Sequence, residues 1–383
     1  MNGMDASSAM EPWAVAARER VKGARLVVVK IGTAVLTGGG DQIDRAYVHD
    51  LAAQVAAMAR GDSSRRFIIV SSGAVGAGVG ALGLAGKPTD VSALQAAAAA
   101  GQPLLMSLWR EAFEVRRVPA AQILLSRGDF DSRERYLNVR NCIHQLHALG
   151  AIPIVNENDT VATEEISLGD NDGLAAKVAV AVQAEALVIL TTGPGVLDAG
   201  DNLVRESADA ASLARHVRPV KTSQGRGGMA TKVQACRDAA EAGIPTVIAP
   251  GRPVATLTAV LVGERVGTCC AAADDKRLGR RNWIAAGATP AGGITLDAGA
   301  ARAVLERGAS LLAKGVTAVD GSFEVGDVVS LRDAAGKEIA RGLCNLTRDE
   351  LRAVLGRRSD ELESILGRRV HEEVVHRDNL VVM

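Results

Sequence analysis

Neither sign of charge is in excess in this chain: forty-four Lys and Arg stand against forty-four Asp and Glu, a formal net charge of +0. No chain-wide basic field exists to recruit nucleic acid, although a local basic patch is compatible with that balance. Lysine is scarce. Only nine of the basic residues are lysines, at 22, 30, 87, 177, 221, 232, 276, 314 and 337, so a lysine in a glycine-rich loop stands out. The five cysteines, at 142, 236, 269, 270 and 344, include no C-x-x-C pair. An odd, dispersed set excludes a disulfide framework and points to a reducing cytoplasm. Long apolar runs are also missing. The uncharged stretch Val91 to Trp109 is mostly alanine, interrupted by Gln95, Gly101, Gln102 and Pro103, which marks a buried helix of a soluble protein rather than a membrane span. The first twenty residues carry acids and no apolar run, which excludes a secretory signal and leaves a frayed extension as the expectation. There is no internal repeat of solenoid period.

What is present is the composition of a folded globular protein, 48% apolar and 23% charged over 383 residues, a length that suits two domains better than one. From Arg25 onward, short β-branched runs alternate with alanine-rich amphipathic stretches, the pattern of βα units feeding a parallel sheet. Strands are expected at Leu26 to Ile31, Phe67 to Val70, Ala120 to Leu125, Ile152 to Val155, Leu187 to Leu190 and Thr246 to Ile248. Helices are expected at Tyr47 to Arg60, Arg133 to Leu149, Gly173 to Ala181 and Met229 to Ala242. The texture changes after about Cys270: charges cluster from Asp274 to Arg281, Gly, Ala and Pro follow to Gly293, and then short strands begin. Ala318 to Leu331 has the texture of a β-hairpin, and Arg348 to Leu366 reads as one or two helices. The fold class is α/β, a mostly parallel sheet sandwiched by helices, followed by a small mostly-β domain. The expected division is an extension over 1–20, the main domain over 21–273, a linker over 274–293, the small domain over 294–370 and a tail over 371–383.

Four motifs bear on chemistry. Val28-Val29-Lys30-Ile31-Gly32-Thr33 puts an ammonium at a strand end beside a permissive loop, where α/β sheets bind ligands. A phosphate is one guest for it, and a lysine snorkelling off a strand end is the other reading. Ser71-Ser72-Gly73-Ala74-Val75-Gly76-Ala77-Gly78 also follows an apolar strand, with small residues that let backbone amides approach an anion. Gly78, Gly80 and Gly83 satisfy G-x-G-x-x-G, but eight residues past the strand and with no acid between Asp90 and Glu111, so the dinucleotide fingerprint is rejected. The clusters Asn156-Glu157-Asn158-Asp159 and Gly169-Asp170-Asn171-Asp172 supply carboxylates and amides. They suit caps and turns, or a substrate carrying an ammonium group such as an amino acid. Gly225-Arg226-Gly227-Gly228-Met229-Ala230-Thr231-Lys232 is a glycine-rich helix entry with a lysine in the first turn, the physics of a P-loop without the Walker A spacing.

Together these segments resemble the glutamate 5-kinases of the amino acid kinase superfamily. The likeness runs through VVKIGTAVLTGG, SSGAVGAG, LLSRGDFDSRERYLNVRN, PIVNENDTVATEEISLGDND, GRGGMATKVQA and AGIPTVIAPG into ITLDAGA and GASLLAKGV of the small domain, which is similar to the PUA barrel. The resemblance implies ATP-dependent phosphorylation of the side-chain carboxylate of L-glutamate, the entry to proline synthesis. It implies Lys30 and Lys232 on the phosphates, Asp172 as their organiser, and glutamate at Ser72, Asp159 and Asn171. The nucleotide falls to Lys30, Gly32, Thr191, Thr192, Arg226, Gly227, Gly228, Met229, Ala230, Thr231 and Lys232. Mg²⁺ would be carried on the nucleotide phosphates, with no protein ligand to a metal. The family further implies a homo-oligomer, proline as feedback inhibitor and coupling to γ-glutamyl phosphate reductase. The chain departs from the family pattern at Thr192, Pro194, Arg226, Ala230 and Ser167, all in or beside loops expected around the nucleotide or active site. Two rival readings are a kinase of the same superfamily acting on N-acetylglutamate, aspartate or a nucleoside monophosphate, and an RNA-binding PUA protein on a degenerate kinase scaffold. RNA binding is disfavoured because Gly308 to Val316 and Ser322 to Leu331 are not densely basic.

Overall fold

The apolar runs of the first two-thirds of the chain become strands of one sheet in a computed structural model that describes residues 10–130, 133–161, 171–217, 228–272, 289–368 and 371–383. The strands are β1 (Leu26–Ile31), β2 (Arg66–Ser71), β3 (Ala120–Leu125), β4 (Ile152–Glu157), β5 (Ala186–Thr191), β6 (Glu206–Ser207), β7 (Thr246–Pro250) and β8 (Thr268–Cys270). Among the described residues they pair in the order β3-β4-β2-β1-β5-β7-β8-β6. Every ladder is parallel except β7 with β8. The sequence reads as near-continuous Val, Ile and Leu because β1, β2, β4 and β5 are covered on both faces.

The helices of this part are α1 (Pro12–Lys22), α2 (Thr33–Thr37), α3 (Arg45–Gly61), α4 (Ala74–Ala81), α5 (Val91–Glu114), α6 (Arg133–Ala148), α7 (Asn171–Val182), α8 (Ala210–Ala214), α9 (Met229–Glu241) and α10 (Thr256–Leu261). One core cluster joins Val27, Val29 and Ile31 of β1 to Val48, Leu51 and Val55 of α3 and to Leu105, Trp109 and Phe113 of α5. Helix α7 packs on β1, β5 and β2 and is buried along nearly its whole length, so it is alanine and valine all round rather than amphipathic. Helices α4 and α5 meet backbone to backbone. A Cβ on Gly78 would stand 1.7 Å from Ala97 O, and one on Gly101 would stand 1.9 Å from Ala74 O, so only glycine permits that approach.

The N-terminal stretch corrects an expectation. Residues 12–22 are helical rather than frayed, with Ala14, Ala17 and Val21 buried. Arg18 is 4% exposed; its guanidinium donates to Glu206 Oε1 at 3.2 Å, Glu264 O at 2.9 Å and Arg205 O at 3.0 Å. An arginine with that many acceptors holds the helix down where apolar pattern alone would not.

The chain divides into two compact units, residues 1–126 with 141–274 and residues 127–140 with 275–383. The smaller unit contains β9 (Gly292–Leu296), α11 (Ala298–Arg307), β10 (Leu311–Leu312), β11 (Val316–Gly321), β12 (Val328–Arg332), β13 (Glu338–Leu343), β14 (Glu373–Val375) and β15 (Leu380–Val382). Its sheets run β11-β9-β12-β13-β15 and β10-β14. The expected hairpin over Ala318 to Leu331 does not form. Strand β9 lies between the two halves, antiparallel to β11 and parallel to β12, because β12 is buried along its length and takes a strand on each side. The hairpin is β12 with β13. Residues 371–383 are no loose tail: Val374, Val375 and Leu380 belong to the second core cluster, and β15 pairs with β13.

Candidate active site

The carboxyl ends of β1, β2, β4 and β5 share one edge of the sheet, and β1 has β2 on one side and β5 on the other. Chain order reverses there, which opens the crevice where such sheets hold ligands. Lys30, the penultimate residue of β1, reaches Asp172 with its Nζ 2.5 Å from Oδ1. Lys232, in the first turn of α9, donates to Asp172 Oδ2 at 3.0 Å, and Thr231 Oγ1 donates to the same oxygen at 2.7 Å. One carboxylate in the first turn of α7, where a helix dipole favours negative charge, thus joins β1, α7 and α9. Burial alone would raise its pKa, but the charges of Lys30 and Lys232 and the hydrogen bonds from Lys30 and Thr231 outweigh that and hold it at about 2. A carboxylate so held accepts hydrogen bonds and cannot take up a proton near neutrality.

Around the lysines the backbone is left open to an anion. Gly73 caps α4 and Gly228 caps α9, each without a side-chain capping bond, so first-turn amides face outward. Gly73 has φ 114, a left-handed value that favours glycine. A Cβ on Gly32 would lie 3.5 Å from Lys30 Nζ, so the bare glycine leaves the approach to that ammonium clear.

A second group of polar side chains adjoins the first. Asn171 Nδ2 donates to Ser72 Oγ at 2.9 Å and to Asn156 Oδ1 at 3.0 Å. Ser72 is set by its neighbours: its N–H donates to Ile31 O at 3.0 Å, its carbonyl accepts from Ser71 Oγ at 3.0 Å, and Trp109 Nε1 donates to Ser71 Oγ at 2.9 Å. Asp159 is buried, and its Oδ1 has no partner among the described residues. Burial and then the negative charge of Glu157 raise its pKa to about 7 against the opposing pull of Lys87. Asp159 and Glu157 line a cavity of about 260 Å³ with Gln102, Gln122 and Leu124.

The structure brings together Lys30, Gly32, Asp172, Thr231 and Lys232, and beside them Ser72 and Asn171. Thr191 ends β5, with its carbonyl accepting from Gly251 N at 2.7 Å, and Thr192 follows it exposed. Gly228 caps α9, and Met229 and Ala230 open it. Arg226, Gly227, Ser167 and Asp170 lie outside the described residues. Sequence reasoning named Asn156 within its polar cluster but did not single out Gln102 or Trp109 as supports of the site. The available signal was the pair of amides, Gln95 and Gln102, that interrupt the uncharged stretch Val91 to Trp109. Among the described residues no group of three or more His, Cys, Asp or Glu is placed to hold a metal ion, and no helix is long and apolar enough to cross a membrane.

Comparison with known proteins places the chain among relatives along most of its length. Residues 25–250 match the amino acid kinase family and residues 292–366 match the PUA domain. The chain is 42% identical to the glutamate 5-kinase of Paracidovorax citrulli over 94% of its own length and 98% of that protein. It is likewise 42% identical to the glutamate 5-kinase of Moorella thermoacetica, over 94% of this chain and 97% of that one, and to that of Anaeromyxobacter dehalogenans, over 96% and 98%. A solved UMP kinase from Bacillus anthracis aligns with a TM-score of 0.43 at 14% identity, over 65% of this chain and 96% of that one.

Proposed function

The chain belongs to the amino acid kinase family, with a PUA domain behind the kinase region, and from that premise we propose that it is a glutamate 5-kinase. It transfers the γ-phosphoryl group of ATP to the side-chain carboxylate of L-glutamate and yields γ-glutamyl phosphate, the first step of proline biosynthesis. The observation that supports this most is Asp172 holding Lys30 and Lys232 together at the sheet edge.

The chemistry asks little of a base. A carboxylate with a reference pKa of about 4.3 is already ionised at pH 7 and is itself the nucleophile. Its attack on phosphorus forms the acyl phosphate bond as the bond to the ADP oxygen breaks. Both reactants are anions, so the protein's part is to align them and to neutralise charge. Lys30 and Lys232 meet the transferring group and the phosphates behind it, and Asp172 fixes where the two ammonium groups stand. Ser72, Asn171 and Asp159 bind the amino acid, with Asp159 facing the α-ammonium. A free amino acid suits that carboxylate better than an acylated one, because acetylation removes its charge partner.

The nucleotide is assigned to the loop after β5 and to the entry of α9, with Gly32, Thr191, Thr192, Arg226, Gly227, Gly228, Met229, Ala230 and Thr231 beside the two lysines. Asp172 already accepts from two ammonium groups and a hydroxyl, so its charge is spent on the lysines and a divalent cation there would face both of them. Mg²⁺ therefore belongs on the nucleotide phosphates, where it would neutralise charge on the transferring oxygens. The wider assignments are a cytoplasmic homo-oligomer, proline as feedback inhibitor, a reductase that consumes the labile acyl phosphate, and no tight RNA affinity at physiological salt.

Purified protein with ATP, Mg²⁺ and each candidate acid tests the assignment through hydroxylamine trapping of the acyl product. Trapped product with L-glutamate in clear preference is expected; preference for N-acetylglutamate or aspartate overturns it.

A further inference from the structure

A hydrogen-bond chain beside the lysines has its direction fixed by one backbone group. The Glu157 N–H donates to Asn156 Oδ1 at 2.9 Å, and because a main-chain N–H can only donate, the amide oxygen must be the atom that meets it. The Asn156 nitrogen is then turned to α5, where it donates to Gln102 Oε1 at 2.8 Å. Asn171 Nδ2 donates to the Asn156 oxygen and to Ser72 Oγ, which uses both of its protons. Two groups remain at the far end. Asn171 is 2% exposed and its Oδ1 has no partner among the described residues, while Ser72 Oγ, having accepted, keeps a proton to donate.

We propose that Gln102 is a positioning residue for recognition of the amino acid, holding the Asn156 amide so that Asn171 presents an acceptor to an α-ammonium and Ser72 a donor to a carboxylate. This rests on the glutamate 5-kinase reading. Asn156 is 2% exposed, so loss of the Gln102 oxygen leaves a buried donor unsatisfied. Glu157 N–H still requires the Asn156 oxygen on its side, so the amide tilts as its nitrogen seeks another acceptor. The tilt stretches the bond to Asn171 and frees Asn171 to turn its NH₂ toward the substrate, where it would face an ammonium. Gln102 is well placed for the task, since its neighbour Gly101 sits where a Cβ would lie 2.3 Å from Gly78 N. The side chain thus projects from the tightest contact between α4 and α5, and it lines the cavity that Asp159 also lines.

The test compares wild type with Gln102→Leu and Gln102→Glu, using steady-state kinetics and calorimetric titration with L-glutamate and with glutarate, which lacks the ammonium. For Gln102→Leu, KM and Kd for L-glutamate are expected to rise about tenfold, the scale of a hydrogen bond to a charged group. Its kcat and KM for ATP should stay within about threefold, the mark of binding lost without transition-state loss. Its preference for L-glutamate over glutarate is expected to fall about tenfold, because that preference depends on the acceptor offered to the ammonium. Gln102→Glu keeps an acceptor and should restore KM to within about threefold of wild type. Unchanged glutamate KM and preference in Gln102→Leu would overturn the proposal, as would an equal loss with every substrate that Gln102→Glu does not restore. If wild type phosphorylates no glutamate, the functional reading fails while titration of the variants still decides the relay. Absence of L-glutamate binding by wild type overturns both.

Discussion

In the proposed reaction Lys232 offers its charge to the transferring phosphoryl group from a fixed place, since Asp172 holds the ammonium at 3.0 Å. Methionine keeps much of the stem's bulk and deletes the charge. If the charge acts mainly in the transition state, Lys232→Met lowers kcat and kcat/KM together by about 10²-fold or more, and steady-state kinetics reads this directly. A near-normal turnover would remove Lys232 from the site. Asp159 gives a different dependence. Its pKa, pushed up to about 7, means the carboxylate is charged above that value and neutral below it. An ammonium binds the charged form, so KM for L-glutamate should be flat above pH 7. Below pH 7 it should climb, by up to about tenfold per unit, as the proton competes with the substrate. A glutamate KM that stays level from pH 8 to pH 6 would show that Asp159 does not face the ammonium.

Elements carry the next level of constraint, and the contact between α4 and α5 is the tightest of them. Gly78→Ala would place a methyl carbon 1.7 Å from Ala97 O, and the helices can only separate. Overpacking of this kind costs about 3 kcal/mol or more, which corresponds to a fall in Tm of roughly 6–12 °C for a domain of this size. Thermal unfolding checks it, and an unchanged Tm would mean the helices have slack. Strands such as β1 and β5 were legible in the sequence because a strand buried on both faces shows a near-continuous apolar run. Lys30 and Ser72 were legible for the same reason, as the polar residues at the ends of such runs. The bond between Gln102 and Asn156 was not, since it spans 54 residues and no local pattern marks it. Helix α1 was missed because its hold on the protein is the arginine Arg18, a residue type that pattern reading assigns to the surface. The hairpin of β11 and β12 was misjudged because turn residues mark where strands end and not which strand lies next to them.

Across the whole molecule, the two hydrophobic clusters share no residue, and Lys30, Ser72, Asp172 and Lys232 all lie in the larger unit. Ending the chain near Ala273 keeps these four residues and the larger core, along with residues 127–140 of the smaller unit, and should leave a domain that folds and phosphorylates glutamate, with changes confined to regulation or assembly. A soluble, folded truncation without activity would show that the smaller unit completes the site. The main sheet also has unlike margins. At one end β6 is two residues long, and its first residue, Glu206, is held by Arg18 and Arg265, which blunts that margin. At the other, β3 keeps six residues in a half-exposed Ala-Ala-Gln-Ile-Leu-Leu run, with a neighbour on one side only among the described residues. Growth of the sheet by edge-to-edge addition has a single direction open to it, β3 against another β3, and one such addition consumes the free margin of both chains. If the sheet grows through that margin, the addition is self-terminating at two, and a fibril would need a different surface.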